Sequence, residues 1–127
     1  MKTFFRIVVI LLLAACNNHT ENDAIKEFIP GTYIRFSQHE FGTENDTIVI
    51  SLQNKTANEY KIRRRWKYER VLDGNAIEPE YKSTITSAIF NEASKLLQET
   101  ETGDNYSFDT KQKLMFTGST KYQKQNK

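Results

Sequence analysis

The sequence predicts an all-β domain, an antiparallel sandwich or small up-and-down barrel of about seven or eight strands. Three observations carry this expectation. Residues 59–72 alternate, with Tyr60, Ile62, Trp66, Tyr68 and Leu72 on even positions and Lys61, Arg63, Arg65 and Lys67 on odd ones. Asp73-Gly74-Asn75 follows at once, and Asp-Gly between alternating segments is a strong hairpin signal because both residues tolerate positive φ. Finally, Phe90-Asn91-Glu92-Ala93-Ser94-Lys95-Leu96-Leu97 matches Phe108-Asp109-Thr110-Lys111-Gln112-Lys113-Leu114-Met115 at a spacing of 18 residues. Each copy reads as a strand end, an Asn or Asp that opens a turn, and an apolar pair that starts the returning strand.

Taken in order, Pro30 and Gly31 break the chain, and Thr32, Ile34 and Phe36 then alternate with Tyr33 and Arg35 as a first strand. Residues 46–53 carry Ile48, Ile50 and Leu52 on one parity and Thr47, Val49 and Ser51 on the other, which makes a second. Period two is also the only arrangement that gives the cations of 59–72 a face of their own; a helical period would scatter them among the apolar residues. After the Asp-Gly turn, Glu78-Pro79 delays the return, so the partner strand is expected over about 81–90. Residues 84–98 also carry apolar positions near helical spacing, so an α+β arrangement with a helix there is the competing expectation. The repeat favours strands. Thr102-Gly103-Asp104 supplies the reversal between its two copies.

The start of the chain has a different character. Lys2 and Arg6 are followed by an apolar run over 7–13 and by small Ala14 and Ala15, the order of an export signal. The run is too short to remain as a span, since crossing the hydrocarbon core takes about 20 apolar residues. Leu13-Ala14-Ala15-Cys16 resembles the lipobox of bacterial lipoproteins, and Cys16 is the only cysteine in the chain. That resemblance implies removal of residues 1–15, lipid attachment at Cys16, and acyl chains as the membrane anchor. Residues 17–24 are polar and without periodicity; the expected organisation is a signal peptide over 1–15, a flexible tether over 16–27 and one β-rich domain over 28–127. Asn17 is not the aspartate that retains many lipoproteins in the inner membrane, so the resemblance implies the outer membrane. Glu21 and Asp23 weakly resemble the acidic tether signals of surface lipoproteins in the Bacteroidetes group.

Composition excludes more than it selects. The chain of 127 residues holds 18 basic and 16 acidic residues, and two of the basic ones, Lys2 and Arg6, lie in the leader, so the domain itself is neutral. Nucleic-acid binding rests on neutralising phosphates and needs a basic excess, so no nucleic acid is expected as a partner. With Cys16 acylated, no thiol remains for a disulfide, and an exported domain is then held by its core alone. His19 falls in the tether, which leaves His39 as the one histidine available to a site, beside Glu40 in a loop. Neither a Ser-His-Asp arrangement, nor Gly-x-Ser-x-Gly, nor the three or four clustered ligands of a zinc site is present, so neither catalysis nor a metal or other cofactor is expected. Asp46-Thr47-Ile48 resembles the triplet at which exported Bacteroidetes proteins are O-glycosylated.

Two functions follow as expectations. In the first, the domain is a non-catalytic binding or scaffolding module of the cell envelope, an accessory part of an envelope assembly with other envelope proteins as partners. Arg63, Arg65 and Lys67 form its candidate anion-contact face, and Arg64, of the opposite parity, must be paired inside or stand at a barrel mouth. In the second, it carries a small apolar ligand in a cavity lined by Tyr60, Ile62, Trp66, Tyr68 and Phe116. Gly31-Thr32-Tyr33 is loosely similar to the Gly-x-Trp opening of lipocalins, a resemblance confined to those three residues, with tyrosine in place of tryptophan. The same aromatics would otherwise fill a core.

Overall fold

The computed structural model describes residues 20–126. The leader 1–15, the proposed lipid site Cys16 and His19 lie outside the described residues. The chain begins with helix α1 (Glu21–Phe28) and continues through β1 (Gly31–His39), β2 (Gly42–Asn54), β3 (Glu59–Leu72), the two-residue β4 (Asn75–Ala76), β5 (Glu80–Asn91), β6 (Leu96–Glu99), β7 (Asn105–Asp109), β8 (Leu114–Thr117) and β9 (Thr120–Lys124). Every neighbouring pair is antiparallel, and the order β1-β2-β3-β5-β6-β7-β8-β9 returns to β1, so eight strands close an up-and-down barrel. β4 is an extra strand on the end of β3. The all-β expectation is what the structure shows, as a barrel rather than a sandwich. Closure rests on Tyr33 opposite Lys124 and Ile34 opposite Gln123.

Local chemistry explains the reversals. Asp73 (φ 52°) and Gly74 (φ 76°) both take the positive φ that a tight hairpin turn demands. The repeat is a repeat of turns: Asn91 Oδ1 accepts from the Ala93 and Ser94 amides, and Asp109 Oδ1 accepts from the Lys111 and Gln112 amides. Lys95 (φ 60°) and Lys113 (φ 59°) close the two turns in the left-handed region. Asn54 and Asn58 build a third on the same plan, with Asn54 Oδ1 accepting from the Ala57 amide and Asn58 at φ 50°. A helix over 84–98 is not formed. β5 runs through to Asn91 because its alternation buries Ala88 and Phe90 against β3, and the turn then falls in the middle of that window.

The expected tether needs a larger correction. Residues 21–28, most of which were expected within the flexible tether over 16–27, are helical and pack on the barrel. Thr20 caps α1 by accepting from the Asp23 amide, and Glu21 and Asp23 sit in the first turn, where acids complement the helix dipole. The helix is held to the β5–β6 turn by ion pairs of Lys26 with Glu92 and of Glu21 with Lys95. Its apolar side seals one end of the barrel: Ile25 and Ile29 are buried there, and the Tyr33 hydroxyl donates to the Ile29 carbonyl at 2.9 Å. Gly31 lets the chain turn from helix to strand at φ 153°, where a side chain's first carbon would lie 2.6 Å from the Lys124 side chain.

The interior divides by height. Toward the α1 end, Tyr33, Ile48, Ile50, Tyr60, Ile62, Phe90, Leu97 and Met115 are buried in one core. At the opposite end, β2, β3 and β5 run on for 12 to 14 residues while β6 to β9 have 4 or 5. The long strands therefore project past the short ones and leave that end of the barrel open.

Candidate functional site

Two buried carboxylates lie at the base of the open end, Glu99 lining its cavity and Asp46 beneath Arg64. Asp46 of β2 is 1 % exposed and receives a fork from Arg64 of β3, Nε to Oδ1 at 3.0 Å and Nη2 to Oδ2 at 2.6 Å. The Tyr122 hydroxyl also donates to Asp46 Oδ2, at 2.7 Å. That carboxylate bond, outweighing the cost of burial, holds the Arg64 guanidinium more firmly charged than usual. Glu99 of β6 is 7 % exposed and has hydroxyl donors only: Tyr106 at 2.7 Å, Thr86 at 3.2 Å and Thr102 at 2.5 Å. Burial first, and then the bond to its carboxylate partner, pushes both Tyr106 and Tyr122 well above the ordinary tyrosine range.

Above these carboxylates the inward side of β3 continues with Trp66 and Tyr68. Their rings stack at 5.7 Å with an interplanar angle of 9°, and His39 at the end of β1 stacks on Tyr68 at 6.0 Å. Trp66 Nε1 donates to Glu44 at 2.5 Å, and the Arg70 guanidinium lies 5.6 Å from the Tyr68 ring centre. Beside this ladder opens a cavity of about 620 Å³. Arg64, Trp66, Lys82, Thr84 and Thr86 form one wall, and Glu99, Glu101, Thr102 and Asp104 of the β6–β7 hairpin form the other. Its walls are mixed in charge, and Lys82, Glu101 and Asp104 are in no ion pair with one another.

The residues singled out from the sequence separate into three groups. Tyr60 and Ile62 are packed in the core, 2 % and 1 % exposed, and neither lines the mouth cavity; Tyr60 borders a separate pocket of about 510 Å³ beside α1. Trp66 lines the cavity and Tyr68 supports its ring. Phe116 is a correction: Met115 is the inward residue of β8, so Phe116 has the opposite parity and lies on the outer face, half-buried beside Ser107 and Lys121. Arg63, Arg65 and Lys67 stand together on the outer wall, where their neighbours on β2 are Val49, Thr47 and Asn45 and on β5 are Ile85, Ser83 and Tyr81. Among the described residues only Lys67 of the three has an acidic partner, Glu69 at 2.6 Å. Arg64 is both paired inside and at the mouth. Thr47 is half-buried on the outer wall next to Arg65.

Lys82, Thr84, Thr86 and Glu99 were not anticipated. Their signal was parity: the first three share the even positions of Ala88 and Phe90, and Glu99 follows Leu97 by two. Among the described residues no three His, Cys, Asp or Glu side chains gather into a metal-binding group. Fold and site together define a closed eight-stranded meander barrel, plugged at one end and open at a polar mouth. No protein-family model matches the chain, and no curated protein or solved structure matches it.

Proposed function

We propose that this chain is a lipid-anchored module of a bacterial cell envelope that binds a partner at the open end of its barrel and performs no chemistry on it. The observation that carries the reading is the asymmetry of the barrel. One end is filled by core side chains and sealed by α1, whereas the other is held open by strands that outrun their neighbours. The lipobox resemblance supplies the anchor at Cys16, four positions before the helix cap Thr20, and implies the outer membrane. An extended chain gains about 3.5 Å per residue, so this anchor keeps the α1 end close to the bilayer and turns the mouth away from it. Other envelope proteins are then the partners within reach of the mouth.

A carrier of small apolar ligands is the weaker reading. An eight-stranded barrel is wide enough for either side chains or one small ligand, and here Tyr60 and Ile62 occupy the space such a ligand would need. The volume that is open is lined by charged side chains of both signs, Glu99, Glu101, Asp104, Arg64 and Lys82, and by threonines. The test is site-resolved crosslinking in native membranes, with a photoreactive side chain at Lys82 in the mouth or at Thr110 on the opposite end. Discrete adducts from position 82 alone are expected. Equal yields from both positions, or monomer alone from each, would overturn the assignment.

A further inference from the structure

β5 is paired on both sides along only part of its length. β3 accompanies it from residue 80 to 89, whereas β6 joins it over 88–91. One more bond carries the second ladder to Ser87, whose carbonyl accepts from the Thr100 amide at 3.0 Å. That carbonyl points away from β3, and backbone groups two residues apart in a strand point the same way. The N–H and C=O groups of Tyr81, Ser83 and Ile85 therefore face the side β6 has left. No strand among the described residues pairs with them there. The space on that side is the mouth cavity, with the β6–β7 hairpin as its far wall.

We infer that an extended segment of a partner polypeptide inserts into this gap and pairs with β5 as an added strand. The inference rests on the mouth being the binding site and names how that site holds its partner. Three observations select the occupant. A row of alternating backbone donors and acceptors is satisfied along its whole length only by another strand, about 4.8 Å away. The β6–β7 hairpin bounds the gap on its far side, where a second barrel approaching edge to edge would meet it. Among the described residues Glu101 and Asp104 on that hairpin are in no ion pair, so they complement a segment that carries lysine or arginine. Sheet edges are ordinarily shielded by proline, bulges, short length or charge. Residues 80–86, Glu-Tyr-Lys-Ser-Thr-Ile-Thr, have no proline and no bulge and a single charge facing the mouth, Lys82, and Tyr81 and Ile85 stand exposed beside the free edge.

The test uses the full-length protein in detergent micelles and a blocked peptide, acetyl-Thr-Lys-Val-Lys-Val-Thr-amide. Two readouts separate the edge from the mouth: amide hydrogen exchange at residues 81, 83 and 85, and emission of Trp66, the only tryptophan. Saturating peptide is expected to change the emission and slow exchange at the three amides at least tenfold. The acidic analogue with glutamates for lysines, and the same peptide methylated on alternate backbone nitrogens, are each expected to bind at least tenfold more weakly. Ser83→Pro removes an edge donor without touching the β3 ladder and is expected to do the same. A change in emission with unaltered exchange would mean that the mouth is occupied without strand addition, which overturns this inference and leaves the proposed function standing. Equal binding by the methylated peptide, or no response in either readout, also overturns it.

Discussion

Asp46 and Glu99 are both buried carboxylates, yet only the first has a cation beside it. Removing one partner of such a pair leaves a charge without compensation, which costs far more than the intact pair contributes. Arg64→Met is therefore expected to destabilise the fold by about 3 kcal/mol, toward the low end for a buried pair because the guanidinium is half in water. Asp46→Leu combined with Arg64→Met should recover most of that loss. Urea denaturation of the two variants measures both, and an additive double variant would contradict the pairing. The tyrosines set the alkaline limit. Tyr33, Tyr106 and Tyr122 are all held above the ordinary value of 10.0, chiefly by burial. The neutral hydroxyl is thus favoured in the folded state, so stability is whole below pH 10 and falls as pH rises beyond it, where the unfolded chain ionises first. A tyrosinate absorbance step coincident with loss of sheet ellipticity is expected above pH 10; complete ionisation with the sheet intact would contradict it. At this scale the sequence made Arg64 legible as the residue of wrong parity, but not its partner. Finding Asp46 requires the β2–β3 register, in which Ile48 lies opposite Arg64 and the carboxylate reaches it diagonally.

Strands were legible wherever one face is buried, because period two then separates apolar from polar residues, as in β3. Turns were legible through side-chain chemistry, and the Asn and Asp of the 18-residue repeat do what their type suggests. The turn at 54–58 escaped notice because its flanks lack the matching aromatic and apolar pair. Helix α1 was missed for a different reason: eight residues give little periodicity, and its few apolar positions sit among acids and an amide. The Thr20 cap and the four-residue interval from Ile25 to Ile29 were its only signs. The left-handed lysines that close two of the turns suggest an experiment on a single element. Lys113 has φ 59°, and among the described residues its amine donates to Asn126 and is in no ion pair, so Lys113→Gly relieves backbone strain at the cost of one exposed hydrogen bond. The variant is expected to gain up to about 1 kcal/mol, read as a higher melting temperature. A loss of stability would mean that the lysine stem packs on the barrel.

For the whole molecule, the proposed anchor and the plugged barrel have a joint consequence. Cys16→Ser is expected to move the protein from the membrane to the soluble fraction with the fold unchanged. In membrane-bound protein, brominated lipids should leave Trp66 emission untouched while aqueous iodide quenches it, since the mouth points away from the anchored end. Quenching by the lipid would reverse that orientation. Barrel closure itself could not be read from the sequence, because the strands that meet are the first and the last. Every other pairing joins neighbours along the meander, with β4 as a side loop. The seam, by contrast, joins residues 33 and 34 to 124 and 123, so the largest entropic penalty of folding is matched to a ladder of only two residue pairs, as short as that between β6 and β7. Such a cylinder should breathe like a book along one spine. Amide deuteration in native conditions is expected to be faster for residues 34 and 123 than for equally buried positions of β2 and β3, and uniform protection around the barrel would show that the spine is no weaker than the pages.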